Sequence, residues 1–173
     1  ERHIWPFLRT IEGRVSAEQI LCGRGLENLH RAMVLEQRNR PPSELASALD
    51  FELRDHEITA AALNDSDGLA AEAVDLFCTI LGRVAGDLAL TGLTHGGVYL
   101  AGGIVQKIEP LLHASGFRSA FEDKAPHGAL MSQIAVSLIR HPLPALLGLA
   151  KLAQQPELFL VDLEHRSWKS RAG

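Results

Sequence analysis

Apolar residues recur at helical spacing through most of this chain and give way to short unbroken runs at two places. That pattern predicts a helix-rich α/β protein with two buried strands. Trp5, Leu8 and Ile11 are spaced for one helix face, and Gly13 interrupts them. Ser16 followed three residues later by Gln19 fits a capping box, in which each side chain satisfies a free amide of the first turn. A new short helix should therefore start there and end near Gly23. Leu26, Leu29, Met33 and Val34 mark the buried side of the next helix, which must stop before Pro41-Pro42. Residues 41–57 are polar and punctuated, and they read as surface linker with a short helix.

The longest helical pattern runs from residue 67 to about 91, with Leu69, Ala73, Leu76, Phe77, Ile80, Leu81, Val84, Leu88 and Leu90 as its apolar positions. Gly82, Ala85, Gly86 and Ala89 carry almost no bulk on this helix, and glycine there costs about 1 kcal/mol relative to alanine. Another part of the backbone must approach closely to offset that. The β-favouring run Val98-Tyr99-Leu100-Ala101 then ends abruptly at Gly102-Gly103, a buried strand by length and composition. Helical spacing returns at Val105, Ile108, Leu111 and Leu112, and a second amphipathic piece covers 117–124. Ile134-Ala135-Val136-Ser137-Leu138-Ile139 is the second strand, followed by a closing helix over about 144–154. The tail, 155–173, has no clear pattern. Strand, helix pair, strand should form a right-handed parallel crossover. Two parallel strands are few for a sheet that is normally buried on both faces, so the sheet is expected to be incomplete.

Composition narrows the function. With 46% hydrophobic and 22% charged residues, 173 residues can bury a sizeable core. A net charge of -4, with the basic residues scattered, gives no general attraction to nucleic acid or to an anionic membrane. The longest apolar stretches are too short and too interrupted to span a bilayer. Cys22 and Cys78 are far apart and without metal-ligand spacing, which supports neither a disulfide framework nor a zinc site and suits a reducing compartment. The histidines, including His95 before Gly96, show no metal-binding spacing. Glu122 and Asp123 lie with Lys124 in a polar stretch expected to be a solvated face.

Three stretches can carry chemistry. Gly102-Gly103 at the carboxyl end of a strand lets the backbone come close to a flat or phosphorylated ligand, and a simple tight turn is the alternative reading. The spaced third glycine of a dinucleotide fingerprint and the Lys-Ser/Thr of a P-loop are both missing there. Glu18 offers two acceptor oxygens to adjacent sugar hydroxyls, although a carboxylate in a first helical turn is also favoured by the helix dipole alone. Gly23-Arg24-Gly25 reads as helix punctuation.

Taken in order, Val15-Ser16-Ala17-Glu18, Gly23-Arg24-Gly25-Leu26, the small-residue helix 81–90, Gly96-Gly97-Val98-Tyr99-Leu100-Ala101-Gly102-Gly103-Ile104-Val105 and the segment 114–124 resemble the bacterial glucokinase family of the hexokinase and actin-like superfamily. The resemblance covers about 4–152. It implies part of an actin-like ATPase domain, of ribonuclease H-like fold, with residues 1–173 forming a carboxyl-terminal portion of the large domain. It implies transfer of the γ-phosphate of ATP, with magnesium, to the 6-hydroxyl of glucose in the cytoplasm, and it leaves room for a homodimer. By the same resemblance Glu18 binds sugar hydroxyls, and Gly102, Gly103 and Ile104 sit against adenosine. Arg14, Cys22, Arg24 and Ala145 stand where the family usually has His, Ser, Pro and Gly. The family's Asp-Gly-Gly-Thr phosphate segment, its catalytic Asp, its second phosphate loop and its Glu-Gly-Gly-His sugar motif find no counterpart in these residues. The expectation is a portion of a kinase that is inactive alone, the alternative being a non-catalytic sugar-sensing or interaction domain derived from such a kinase.

Overall fold

The computed structural model describes residues 2–37, 53–155 and 158. They fall into two units, Glu1–Ile139 and Arg140–Gly173, each taken by itself.

The first unit opens with a 3-10 helix, Arg2–Phe7, that includes Pro6. The helix expected through Ile11 does not form. Pro6 lacks the amide that a continuing α-helix would use, and Ile11 instead bridges Arg14 in a tight reversal with Glu12 and Gly13 at positive φ. The capping box at Ser16 does form and starts α1, Ala17–Ile20. Gly23 begins α2, Gly23–Gln37, so Gly23-Arg24-Gly25 is its first turn and not a break. Leu26 and Leu29 are fully buried on α2, as the spacing predicts, while Met33 and Val34 are only half-buried. The proline pair at 41–42 lies outside the described residues, and the short helix expected within 41–57 is α3, Asp55–Asn64, which starts and ends later than expected.

The long helix α4, Leu69–Gly92, is the centre of the unit, and α2, α3 and α7, Phe117–Glu122, pack on it. The small residues on α4 have the expected cause. A Cβ at Gly82 would stand 2.2 Å from the carbonyl oxygen of Phe117, and one at Gly86 would stand 2.5 Å from that of Phe121. Both helices therefore meet backbone to backbone.

Strand β1, Val98–Leu100, pairs in parallel with β2, Val136–Leu138, in the register Val98 to Val136, Tyr99 to Ser137 and Leu100 to Leu138. Between them run α5, Gly103–Lys107, α6, Glu109–Ala114, α7 and the short α8, Gly128–Met131. Leu100 is buried and Tyr99 is 67% exposed, so among the described residues one face of this sheet is covered and the other is open. Glu122 departs from the solvated face expected of it. Arg118 pairs with it, donates to the carbonyls of Ile134 and Ser132 at 2.9 Å each, and lies 5.2 Å over the Phe121 ring. Lys124 turns back to Asp87 on α4 at 3.0 Å. Asp123 is exposed.

In the second unit Pro144 opens α9, Pro144–Gln154, where its missing amide is harmless.

Candidate functional site

The turn that carries Glu18 is fixed from both sides. Ser16 is extended, its hydroxyl accepts from the Gln19 amide at 3.3 Å, and its own amide donates to Gln19 Oε1 at 2.7 Å. Behind the turn, a Cβ at Gly25 would fall 2.0 Å from the carbonyl oxygen of Ile20 and 2.4 Å from that of Gln19. Only glycine lets α1 lie so close against the first turn of α2. In sequence Gly25 reads as punctuation between two helices, and its close approach to the carbonyls of Gln19 and Ile20 is visible only in three dimensions.

Glu18 itself is exposed. Among the described residues its carboxylate has no hydrogen bond or ion pair, and neither Arg14 nor Arg24 pairs with it. It is an acceptor held in place and left open. The Cys22 thiol beside this turn reaches the Gln19 carbonyl at 3.8 Å.

At the carboxyl end of β1, Gly102 has φ 124° and ψ 155°, a conformation that L side chains rarely adopt, and it caps α5. Gly103 is the first residue of α5 and has no such strain. A Cβ at either glycine would meet no atom within 4 Å, so open space faces both, which suits the close approach of a flat ring. Ile104 is half-buried and packs against the core, so it anchors the turn from below. The turn is also tied to β2. Gln106 Nε2 donates to the Ile139 carbonyl at 2.9 Å, and the Ile139 amide donates to Leu100 at 2.8 Å.

Asp55 links the two segments. Lys107 of α5 approaches its Oδ2 at 4.0 Å, and the same oxygen lies 3.2 Å from where a Cβ of Gly23 would be, at the start of α2. The Asp55 amide donates to Glu27 Oε1 at 3.2 Å. Among the described residues no group of three His, Cys, Asp or Glu side chains is placed to hold a metal ion.

Next to Ser16 and Ala17 an apolar groove of about 250 Å³ opens between the amino-terminal 3-10 helix and α4. Buried Ile4, Leu8, Ile20 and Leu29 line it, together with half-buried Leu76, Ile80 and Val84. Two buried groups elsewhere in the unit are perturbed by desolvation. Burial lowers the pKa of His30 on α2. Burial pushes the Cys78 thiol on α4 up to about 11, against a hydrogen bond with Ser115 that lowers it.

A parallel strand pair ending in a glycine turn, backed by a long small-residue helix and carrying an open carboxylate on a separate capped turn, defines part of an actin-like ATPase fold. The chain belongs to the glucokinase family, whose family model matches residues 1–156. It is 50% identical over 167 residues to a glucokinase of Mesorhizobium japonicum, covering 96% of this chain and 46% of that protein. It is 51% identical over 168 residues to a glucokinase of Sinorhizobium fredii, covering 96% of this chain and 47% of that one. Its structure is similar to that of a glucokinase from an Antarctic psychrotroph, with a TM-score of 0.73 and 25% identity, over 89% of this chain and 45% of that one. The chain thus spans about half the length of the curated relatives it matches. These relatives are kinases, so the sensing or interaction domain is not the favoured reading. No helix among the described residues is long and apolar enough to cross a membrane.

Proposed function

We propose that this chain is the carboxyl-terminal part of a cytoplasmic glucokinase that moves the γ-phosphate of ATP to the 6-hydroxyl of glucose, and that it supplies part of the sugar site and the adenosine site. The observation that carries the reading is the Glu18 carboxylate, exposed and without a partner among the described residues on a turn that the capping box and Gly25 hold still. A fixed carboxylate that accepts from two neighbouring hydroxyls suits a sugar ring. Gly102 and Gly103 offer bare backbone to adenosine, with Ile104 beneath them. Magnesium would neutralise charge on the transferred phosphoryl group when bound, and no residue of this chain is assigned to it. Phosphoryl transfer also needs a base beside the attacking hydroxyl and loops that position the phosphates. No residue of this chain is assigned to either task, and the reading expects the chain to be inactive alone.

The test is kinetic. The purified chain should consume no ATP in the presence of glucose, and turnover of about 1–100 per second would overturn that expectation. In the complete kinase, Glu18→Gln should raise KM for glucose about 10-fold or more, because hydrogen bonds to a charged group contribute about 1.5–3 kcal/mol. Gly103→Val should weaken ATP and spare glucose. Its backbone is unstrained and its Cβ meets open space, so folding is not at issue. An unchanged KM removes Glu18 from the site, and unchanged ATP affinity makes Gly102-Gly103 a turn and nothing more.

A further inference from the structure

We propose that Asn28 of α2 is a positioning residue for the sugar carboxylate: its carboxamide grips the main chain of Arg9 and so fixes the reversal that leads into the Glu18 turn. The inference deepens the proposed function and rests on the reading that Glu18 binds sugar hydroxyls.

The turn that carries Glu18 cannot hold itself. Helix α1 has four residues, far below the length at which a helix is stable alone. Its capping box orders the first turn locally and does not fix where that turn sits. The carboxyl end of α1 is placed by Gly25, whose missing Cβ lets the carbonyls of Gln19 and Ile20 lie against the first turn of α2. The amino end is fed by the reversal in which Ile11 and Arg14 exchange both backbone hydrogen bonds at 3.0 Å, with Glu12 and Gly13 at positive φ between them. Residues 11–14 are all exposed, so packing does not hold this reversal.

Asn28 holds the chain two residues before it. Its Oδ1 accepts from the Arg9 amide at 2.9 Å, and its Nδ2 donates to the Arg9 carbonyl at 3.2 Å. One side chain thus satisfies both main-chain groups of one residue, as a neighbouring strand would. Arg31 locks the carboxamide. Its Nη2 donates to the same Oδ1 at 3.1 Å and to the Phe7 carbonyl at 3.0 Å. Guanidinium nitrogens only donate, so the oxygen of the carboxamide is the atom that faces Arg31. Arg31 is buried, which leaves this anchor little freedom to move. Gly25, Asn28 and Arg31 follow at three-residue intervals on α2, so one side of a single helix grips the chain before and after Glu18. Loss of the Asn28 bonds frees the entry while the exit stays fixed, and Glu18 can then turn away from the sugar without unfolding α2.

The experiment is a double-mutant cycle on KM for glucose in the complete kinase, with Asn28→Leu and Glu18→Gln as its two changes. Leucine has the branched shape of asparagine and forms helices better, but it offers no hydrogen bond. Asn28→Leu should raise KM about 5-fold, the worth of one neutral hydrogen bond, with kcat nearly unchanged. In the Glu18→Gln background the same change should raise KM by no more than about 2-fold, because its effect runs through that carboxylate. Asn28→Ala removes the same bonds without added bulk, should give the same pattern, and carries the cycle if the leucine variant does not fold. Amide hydrogen exchange across residues 9–19 should quicken in either variant while circular dichroism stays that of the parent. Equal KM increases in the two Glu18 backgrounds overturn the proposal, as does a leucine variant that folds and restores the parent KM, which makes the role one of packing. Unchanged exchange across 9–19 overturns it too. An effect of Glu18→Gln with none of Asn28 sinks the positioning role and leaves the sugar site standing. Glu18→Gln without effect on KM overturns the reading of the sugar site itself, and the proposal falls with it.

Discussion

The two long faces of α4 are built differently. Toward α7 it presents Gly82 and Gly86, and the backbone carbonyls of Phe117 and Phe121 occupy the space where side chains would be. That face is shut further by the stacked rings of Phe117 and Phe121, 6.1 Å apart, and by Lys124 reaching Asp87. Toward the groove it presents Leu76, Ile80 and Val84, larger and more apolar, yet only half-buried. The bulkier side chains thus lie on the looser face. Small residues close a contact by admitting backbone, while the large ones stay half in water.

The sharpest way to break this contrast is Gly82→Ala. Helix propensity alone would make the change stabilising by about 1 kcal/mol. The contact argues the opposite, since the new methyl would stand 2.2 Å from a carbonyl oxygen that is itself part of a helix and cannot swing aside. Overpacking of this kind costs about 1–3 kcal/mol and sometimes more, so the net result should be a loss of about 2 kcal/mol in urea unfolding. A gain in stability would mean that α4 and α7 are not in backbone contact.

The same contrast explains what could be read from the residues. The closed face was legible because glycines inside a helix carry a cost that only close approach offsets, and the strand pair because Val98-Tyr99-Leu100 and Val136-Ser137-Leu138 are short apolar runs bounded by turn residues. The Ser16 to Gln19 capping box is written in adjacent residues, and it formed as expected. The extent of helix α3 was only partly legible: a short helix was expected within 41–57, whereas α3 runs Asp55–Asn64 and buries Ile58 and Ala62. The groove was invisible in sequence. Leu76, Ile80 and Val84 look like core in a periodic pattern, and periodicity says which face is apolar without saying what covers it. Gly25 needed the carbonyls of Gln19 and Ile20 in three dimensions before its role appeared.

A middle-sized effect comes from His30, 7% exposed on α2, the helix whose Leu29 lines the groove. Burial lowers its pKa below the usual 6.5, so the unfolded chain takes up a proton at a pH where the folded chain does not. Stability from this group is complete above the unfolded value and falls as the pH drops from there toward the folded value. The slope is bounded by about 1.4 kcal/mol per pH unit. Urea unfolding at a series of pH values from neutral downward should show this loss, and His30→Gln should flatten it. Equal slopes in the two proteins would show that His30 is not the source of the acid sensitivity.

The smallest effect is the most informative about the groove. Ile108 is fully buried, while Ile80 is half-buried on the open face of α4. Removing one methylene from each is the same chemistry in two settings. A buried Ile→Val change typically costs about 0.5–1.5 kcal/mol, because it loses both transfer free energy and packing contacts. Ile108→Val should fall in that range. Ile80→Val should cost less than about 0.5 kcal/mol in the chain alone, since part of the deleted surface already faces water and no closed cavity is left behind. Both values come from one pair of urea titrations against the parent chain. Equal losses would mean that the groove is closed in solution, with Ile80 as firmly packed as Ile108. A clear gap between them keeps the two faces of α4 distinct, one closed by backbone contact and the other half in water.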